Sequence, residues 1–282
     1  MRIIVYVLNM FKIKEILRSI PLRVIKRLFQ YEYIPEGWHY AENHPVVRGW
    51  DVEDVAAVYR LKWQKFVTMV EGSGPLGFSH ESDLMSDTDL YSHNVIMSFG
   101  YVLCLASRAK KEISILDWGG GSGHYYVLAK ALLPGVTIDY HCKDLPKLAA
   151  LGRELLPGQH FYIDDTCFER KYDLVIASDS FQYSKNWPEI LEKLANVTLS
   201  HLYIARLPVI PTADSFVFVQ RPYQYGYNTE YLGWCLNAKD FLKCADSLKL
   251  TLVREFDYGY SAFILNAPEH NQERGFLFTT PL

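Results

Sequence analysis

The sequence lacks the patterns that mark disulfide-rich and metal-binding proteins. Its five cysteines form no CxxC pair and are odd in number, which argues against a disulfide framework and a structural zinc site. No HxxxH or HExxH spacing is present, so we predict no metal. This cysteine usage fits a reducing compartment, and we expect a cytoplasmic protein.

The sequence also lacks a strong charge of one sign and a long hydrophobic run. The 282 residues carry a net charge of -3, so no global positive field attracts nucleic acid, and we expect no such partner. The apolar run at 3–10 is far shorter than the roughly 20 residues that span a bilayer. With 49% hydrophobic and 22% charged residues, the composition indicates a globular protein with a buried core.

The N-terminal segment differs in charge from the rest of the chain. Residues 1–29 contain seven basic side chains and one acid, and 11–29 show apolar residues at helical spacing. A basic amphipathic helix can lie on an anionic membrane surface. Two interpretations stay open: peripheral contact of residues 1–30 with the inner membrane, or packing on the protein itself or on a second subunit of a homodimer.

The pattern along the chain changes near residue 110. Before it, we predict two helices and an irregular segment rich in aromatics, proline and glycine at 31–50. After it, short apolar strands alternate with helices, which predicts an α/β fold with a parallel sheet covered on both faces. We therefore divide the chain into a helical extension or lid at 1–110 and a main domain at 111–282. The predicted strands cover 113–116, 136–142, 160–163, 172–177, 201–207, 250–256 and 261–265, and the predicted helices cover 51–70, 87–109, 124–133, 145–156, 187–199 and 238–247.

Two connections depart from this alternation. Only residues 257–260 separate the last two predicted strands, too few for a parallel crossover, so we predict that these strands are antiparallel. Residues 208–237 form a connection of about thirty residues, far longer than usual. We interpret this connection as an insertion that lines an acceptor pocket, with a dimer contact as the alternative.

A glycine-rich turn follows the strand at 113–116. In the segment Asp117-Trp118-Gly119-Gly120-Gly121-Ser122-Gly123, glycines allow a tight turn and the close approach of a ligand. The dinucleotide fingerprint GxGxxG fails, because the sixth position is His124 counted from Gly119 and Tyr126 counted from Gly121. The acid that precedes the glycines would repel a pyrophosphate but can hold the ammonium of an amino-acid moiety.

Acidic residues end the next two predicted strands. Asp144 lies 27 positions after Asp117, where its carboxylate can accept hydrogen bonds from two ribose hydroxyls. The alternative is a cap for the helix that begins at Leu145. Asp164 and Asp165 end the third strand near an expected adenine, and we favour Asp165, although a cap or a solvated carboxylate stays open for both.

Residues 113–180 resemble a class I S-adenosylmethionine (SAM)-dependent methyltransferase. Residues 113–268 are similar to a group of methyltransferases associated with bacterial surface-polysaccharide gene clusters. The resemblance implies SAM as cofactor and a Rossmann-like, seven-stranded, mostly parallel sheet with its last strand antiparallel. The ribose acid of such enzymes is often Glu and is Asp144 here. Besides the glycine turn, the matching segments are 143–146 (KDLP), 178–183 (SDSFQY), 219–222 (VQRP) and 231–234 (YLGW). The expected cofactor-binding residues are Asp117, Gly119, Gly121, Gly123, Asp144, Leu145, Asp165 and Ser178.

The chemistry and the acceptor site are expected at the carboxyl ends of the strands. The candidate catalytic residues are Asp179, His124 and Arg206, and His80 and His93 are further candidate bases. A turn residue, a structural histidine and a surface ion pair are the respective alternatives for the first three. The residues expected to contact the acceptor are Gln182, Tyr183, Arg221 and Tyr223.

The expected function is methyl transfer to a hydroxyl or amine of a small polar acceptor. A sugar or nucleotide-sugar acceptor rests on the resemblance alone. One alternative is an NAD-dependent or nucleotide-sugar oxidoreductase, which the missing third fingerprint glycine and the absence of a Tyr-x-x-x-Lys pair disfavour. The other is a non-catalytic Rossmann-like binding protein, which the retained Asp117, glycines and Asp144 disfavour.

Overall fold

The computed structural model describes residues 30–79, 82 and 89–280. The predicted N-terminal amphipathic helix, with its membrane and dimer interpretations, lies outside these residues, as does His80. No helix among the described residues is both long and apolar enough to cross a membrane. The described strands are β1 (Tyr31–Tyr33), β2 (Glu112–Trp118), β3 (Thr137–Lys143), β4 (His160–Tyr162), β5 (Tyr172–Ser178), β6 (Thr198–Ile210), β7 (Phe216–Gln220), β8 (Tyr231–Asn237), β9 (Thr251–Asp257), β10 (Ile264–Leu265) and β11 (Gln272–Thr279). The described α-helices are α1 (Tyr40–Asn43), α2 (Glu53–Glu71), α3 (Leu90–Ala106), α4 (His124–Leu132), α5 (Pro146–Leu155), α6 (Trp187–Asn196) and α7 (Ala238–Ser247).

The main domain contains a mostly parallel sheet, as predicted. Seven neighbouring strands have the order β4-β3-β2-β5-β6-β11-β9. The pairs from β4 to β6 are parallel, whereas β11 runs antiparallel to both β6 and β9. The last strand in the chain is therefore antiparallel, and the carboxyl ends of β2, β3 and β5 meet at one edge of the sheet.

The prediction that 250–256 and 261–265 form an antiparallel pair is wrong. The second segment contains only β10, which pairs in parallel with β1 at the far side of the sheet. The antiparallel neighbour of β9 is β11, a strand that the sequence analysis missed. Only its short Phe276–Phe278 stretch is strongly apolar, and its place between β6 and β9 depends on partners distant in sequence.

The predicted count of seven strands is too low, because 208–237 is not an open connection. β6 continues to Ile210, and the antiparallel pair β7–β8 follows it. β8 pairs in parallel with the end of β6, so the sheet grows to eleven strands through β8, β7, β1 and β10. All five residues of β7 are buried, and this burial holds the added strands in the sheet.

Alternation along the strands divides the core into two layers. Ile115 and Leu174 face one layer, whereas their neighbours Leu116 and Val175 face the other. Helices α2, α3 and α4 pack in the first layer and α6 and α7 in the second. The helices before residue 110 thus share the core of the main domain, and they reach the edge of the sheet where the glycine turn lies.

Candidate functional site

A cavity of about 590 Å³ lies at the carboxyl ends of β2, β3 and β5. Its lining comes from the glycine turn, from the ends of these strands and from the helices before residue 110. Ligands of open α/β sheets bind at this edge, and the volume lies within the range of small-molecule sites. Predicted residues that line the cavity are Gly119, Gly121, His124, Asp144, Leu145, Ser178, Asp179, Tyr183 and Arg206.

The glycine turn has no room for side chains. Gly119 has a φ of +72°, and a Cβ there would lie 2.2 Å from Cβ of Ser180. Gly121 has a φ of +62°, and its Cβ would lie 2.8 Å from Cε1 of Tyr59 on α2. These positions require glycine for both backbone conformation and space. Gly123 instead borders the core, where its Cβ would lie 2.6 Å from Cδ1 of Leu156, and it does not line the cavity.

Asp117 is fully buried directly beneath the glycine turn. A Cβ on Gly120 would lie 2.3 Å from its carboxylate carbon. Oδ2 accepts a hydrogen bond of 2.5 Å from the Tyr140 hydroxyl, and Oδ1 has no hydrogen-bond partner among the described residues. Burial raises the pKa of Asp117 to about 7. This carboxylate can offer charge to the turn above it, although it does not itself line the cavity.

Asp144 lies beside the glycine turn and does line the cavity. Its carboxylate accepts hydrogen bonds from the backbone N–H of Gly121 at 2.7 Å and of Leu145 at 2.6 Å. Burial raises the pKa of this carboxyl group to about 6. An ionised carboxylate has about four acceptor positions, so Asp144 keeps capacity for further donors. The two backbone bonds hold it in a fixed orientation.

Asp165 lies outside the cavity. Its side chain is 61% exposed and forms an ion pair of 3.2 Å with Lys193. Asp164 also lies outside, where it caps a short 3-10 helix by accepting a 3.1 Å hydrogen bond from the Thr166 N–H. Neither acid lines the cavity, and their contacts are those of a solvated carboxylate and a helix cap, while an adenine contact of Asp165 stays a prediction.

Asp179 and Arg206 form a mostly buried ion pair. Nη2 of Arg206 lies 3.1 Å from Oδ2 of Asp179, and their side chains are 11% and 14% exposed, respectively. Both have a left-handed backbone, with φ of +51° for Asp179 and +55° for Arg206. Such a conformation is costly for residues other than glycine and persists where the surroundings enforce it. The register between β6 and β11 shifts near Arg206, and this irregularity turns the arginine towards the cavity.

Further donors surround this pair. The Gln182 amide donates to Oδ1 of Asp179, and the Tyr183 hydroxyl lies 3.5 Å from the same oxygen. Nε of Arg206 donates to the Tyr91 hydroxyl at 2.7 Å. Gln182 is itself buried and does not line the cavity. Its side chain holds Asp179 in place instead of reaching the predicted acceptor position.

His124 begins α4 and packs among aromatic rings. Its ring lies edge-on to Tyr59, Trp63 and Phe66, with centroid distances from 4.5 to 5.5 Å. Burial lowers the pKa of His124 to about 4, so its imidazole is neutral at neutral pH. His93 lies outside the cavity, with Nδ1 2.7 Å from the backbone oxygen of Leu76.

Aromatic residues form the wall beyond Asp179. The rings of Trp50 and Tyr231 stack with centroids 4.3 Å apart, and Tyr183 meets both edge-on. Trp38 and Arg48 extend the same wall. Trp38, Arg48 and Trp50 come from the segment 31–50, which is predicted only as irregular structure, and its aromatic content is the signal that points to the cavity.

Two predicted acceptor residues lie elsewhere. Arg221 pairs with Glu32 at 2.8 Å and with Glu230 at 3.3 Å. The Tyr223 hydroxyl donates to Glu230 at 2.6 Å. Neither residue lines the cavity. Both lie in the link between β7 and β8, and these two strands pair with each other in the sheet. They stabilise the added strands instead.

One cluster has the residue types of a metal site. Possible ligand atoms of Asp139, His141 and His160 lie within 4.8 Å of one another, outside the cavity. The Arg170 guanidinium lies 2.8 Å from Nε2 of His141 and 2.8 Å from Oδ2 of Asp139. Arg170 thus already supplies positive charge to the cluster, and the absence of a metal stays a prediction.

Among solved structures, the chain is similar to the N-terminal domain of EvdMO1 with SAH bound, at 12% identity and a TM-score of 0.50, covering 79% of this chain and 97% of that one. It is also similar to DesVI from Streptomyces venezuelae (11% identity, 82% and 100% covered, TM-score 0.49) and to magnesium protoporphyrin IX methyltransferase from Synechocystis PCC 6803 (14%, 82% and 98%, 0.46). No family model and no curated protein matches. The chain has a Rossmann-like α/β fold.

Proposed function

We propose that this protein is a SAM-dependent methyltransferase that acts on a hydroxyl or amine of a small polar acceptor. One observation carries the proposal. At the edge of the sheet, the left-handed glycines 119 and 121 leave bare backbone between a buried carboxylate, Asp117, and a cavity-lining carboxylate, Asp144. That arrangement suits a ligand that has the ammonium of an amino-acid end and a ribose.

The residues present fit SAM. Bare backbone at Gly119 and Gly121, with Asp117 beneath, would hold the amino-acid end, and the free acceptor capacity of Asp144 suits ribose hydroxyls. Leu145 and Ser178 line the same part of the cavity. When bound, SAM supplies a methyl group on a sulfonium, a good leaving group. The SAH in the structure of the EvdMO1 domain, which shares the fold, supports this choice.

The chain itself would mainly position the acceptor. Asp179 is fixed by Arg206 and Gln182, so its carboxylate can accept a hydrogen bond from an incoming hydroxyl or amine. His124 lines the cavity and is neutral at neutral pH, so its imidazole can accept a hydrogen bond from the acceptor, although a pKa of about 4 makes it a weak general base. Helices α2 and α3 contribute to the lining of the cavity, and their role as a lid over a bound acceptor is part of this proposal.

The aromatic wall supports a ring-shaped acceptor. Trp50, Tyr183 and Tyr231 offer flat apolar surfaces with polar tips, which suit a polar organic ring. A sugar or nucleotide-sugar, as the sequence resemblance suggests, has this character.

Calorimetry with S-adenosylhomocysteine (SAH) and with NAD tests the cofactor. We expect SAH to bind and NAD not to bind. Asp144→Asn keeps the shape but removes the charge, and the loss of charge-assisted hydrogen bonds should weaken SAH binding by about tenfold or more. Asp165→Asn is the matched control and should leave the affinity unchanged, since Asp165 lies outside the cavity. Binding of NAD in place of SAH would overturn the proposal.

Release of SAH from SAM in the presence of sugars and nucleotide-sugars tests the transfer. Asp179→Asn should abolish turnover with any accepted compound while SAH affinity stays within about twofold, because Asp179 lies on the acceptor side. A variant with full turnover would remove Asp179 from the proposed acceptor site.

A further inference from the structure

Helix α3 has no charged residue along its 17 positions. The exposed positions of surface helices normally carry charged side chains, as α7 does with Lys239, Asp240, Lys243 and Asp246. Apart from Ser92, His93, Asn94 and Ser98, the helix is apolar, and a helix of this composition is normally buried. The buried positions of α3 pack on the first core layer, so its outer side is the part that needs an explanation.

The outer side of α3 is an exposed apolar stripe. We call Leu90, Met97, Tyr101 and Cys104 the α3 stripe, and all four residues are exposed. Leu90 is 74% exposed, Met97 52% and Tyr101 43%. Met97, Tyr101 and Cys104 are four and three positions apart, which places them on one side of the helix. His93 and Asn94 lie between Leu90 and Met97 on this side, so Met97, Tyr101 and Cys104 form the continuous apolar part of the stripe.

Neighbouring elements extend this surface. Leu132 of α4 is exposed, and its side chain would lie 3.7 Å from a Cβ at Gly100 of α3. The Tyr101 ring meets Phe256 of β9 edge-on at 5.6 Å. The apolar surface thus spans three elements rather than one helix.

Positive charge borders the apolar surface. Arg108 is exposed just beyond the end of α3, and Arg254 is exposed on the same face of β9 as Phe256. Glu255 lies between the two β9 residues and faces the opposite side of the strand. Apolar side chains bordered by arginines complement an anionic lipid surface, where the apolar groups meet acyl chains and the arginines meet anionic headgroups.

We propose that the α3 stripe docks on an anionic lipid surface. Met97 and Tyr101 enter the boundary between headgroups and acyl chains, while Arg108 and Arg254 contact the anionic headgroups. This docking is independent of the proposed methyl transfer, because the stripe faces away from the cavity.

Sedimentation with lipid vesicles tests the docking. The full chain is mixed with vesicles of phosphatidylcholine alone or of phosphatidylcholine with phosphatidylglycerol. We expect binding only to the anionic vesicles, and weaker binding at high salt. The double variant Met97→Glu/Tyr101→Glu places acids against the headgroups and should reduce the bound fraction by about tenfold. Leu61→Glu, at a 65% exposed position on α2, is the matched control and should bind like the unchanged protein.

Three results would overturn the docking. In the first, the unchanged chain fails to bind anionic vesicles. In the second, the double variant binds as well as the unchanged chain, and binding is then assigned to residues 1–29 alone. In the third, sedimentation velocity shows a dimer that the double variant disperses while vesicles remain unbound, so that a second copy covers the stripe. Unchanged SAH affinity of the double variant, or an unchanged circular dichroism spectrum if SAH does not bind, shows that the variant is folded.

Discussion

The two halves of the cavity are built in different ways. The proposed cofactor half consists of neighbours in a short stretch, from Asp117 through Asp144 to Ser178, at the ends of adjacent parallel strands. The acceptor half combines Trp50, Asp179 and Tyr231, which are distant in sequence and belong to different elements. A local motif can specify the first half. The second half exists only after the N-terminal segment and the added strands have packed together.

The halves also differ in how their polar groups are satisfied. In the cofactor half, Asp117 has an oxygen without a hydrogen-bond partner among the described residues, and Asp144 keeps acceptor capacity. In the acceptor half, Asp179 is already bonded to Arg206 and Gln182. The cofactor half thus offers a ligand acceptor capacity at Asp144 and negative charge from Asp117 beneath the turn, whereas the acceptor half holds one carboxylate in a fixed place.

Substitution of Gly119 should have the largest effect. In Gly119→Ala the new Cβ would lie 2.2 Å from Cβ of Ser180 at a φ of +72°. The clash and the backbone strain together should cost about 4 kcal/mol of unfolding free energy and abolish detectable SAH binding. Urea denaturation and calorimetry measure both. Gly135→Ala is the control, because no atom lies within 4 Å of that Cβ. Equal behaviour of the two variants would show that the turn is not sterically restricted.

Removal of Arg206 tests the acceptor half. Arg206→Met leaves the mostly buried Asp179 without its positive partner, which should destabilise the fold by about 3 kcal/mol. SAH affinity should change little, because the pair lies on the acceptor side. Arg274→Met removes the ion pair with the 58% exposed Asp257, and its cost should be below about 1 kcal/mol. If the two substitutions lower the unfolding free energy equally in urea denaturation, burial does not make the Asp179–Arg206 pair contribute more than an exposed pair.

The pH dependence of SAH binding tests the cofactor half. Burial raises the pKa of Asp117 to about 7 and that of Asp144 to about 6, so the ligand-free protein retains these protons in part near neutral pH. The ammonium of the ligand favours the ionised form of Asp117 beneath the turn through its charge, and ribose donors favour ionised Asp144, so binding must release protons. Affinity should fall by about tenfold from about pH 8 to about pH 6. His124 does not titrate in this interval, because its pKa is about 4.

Calorimetry in buffers of different ionisation enthalpy detects the released protons. The same carboxyl groups should make the ligand-free fold less stable as the pH rises through their pKa values, because the unfolded chain has already lost these protons. An affinity that is constant or that increases as the pH falls would contradict the assignment of these two acids to the cofactor.

The smallest effect is expected at the surface between α2 and α5. The side chains of Arg60 and Glu154, which form an ion pair there, are 52% and 57% exposed. Because solvent screens this exposed pair, Arg60→Gln should leave the urea midpoint and the SAH affinity unchanged within error. A large loss of affinity would show that contact between α2 and α5 controls the cofactor half, and the two halves would then not be separable.

Much of the main domain could be predicted because its signals are local. The strand–turn–helix at Asp117 and the alternation from β2 to α6 follow from short apolar runs bounded by glycine, proline and acids. β11 was missed because its partners β6 and β9 are distant in sequence. Likewise, β7 and β8 were hidden in a tyrosine-rich segment that was interpreted as a loop. Register is decided by burial against neighbours, which the residues of a strand do not encode alone.

The candidate site shows the same division. Gly119, Asp144 and Asp179 line the cavity as expected, whereas Asp165, Arg221 and Tyr223 do not. A strand end places a residue at the correct edge of the sheet but does not say whether its side chain faces the cavity or a neighbouring lysine or glutamate. The direction of each side chain depends on the elements packed around it.

The sequence by itself determined the α/β class, the position of the glycine turn and the acids that follow the first two strands of the main domain. These features depend on backbone sterics and hydrophobic periodicity, which act over a few residues. Only the tertiary structure decided the eleven-strand sheet, the Asp179–Arg206 pair and the aromatic wall from 38–50 and Tyr231. These depend on burial between segments far apart in the chain, where packing rather than local preference selects the partner.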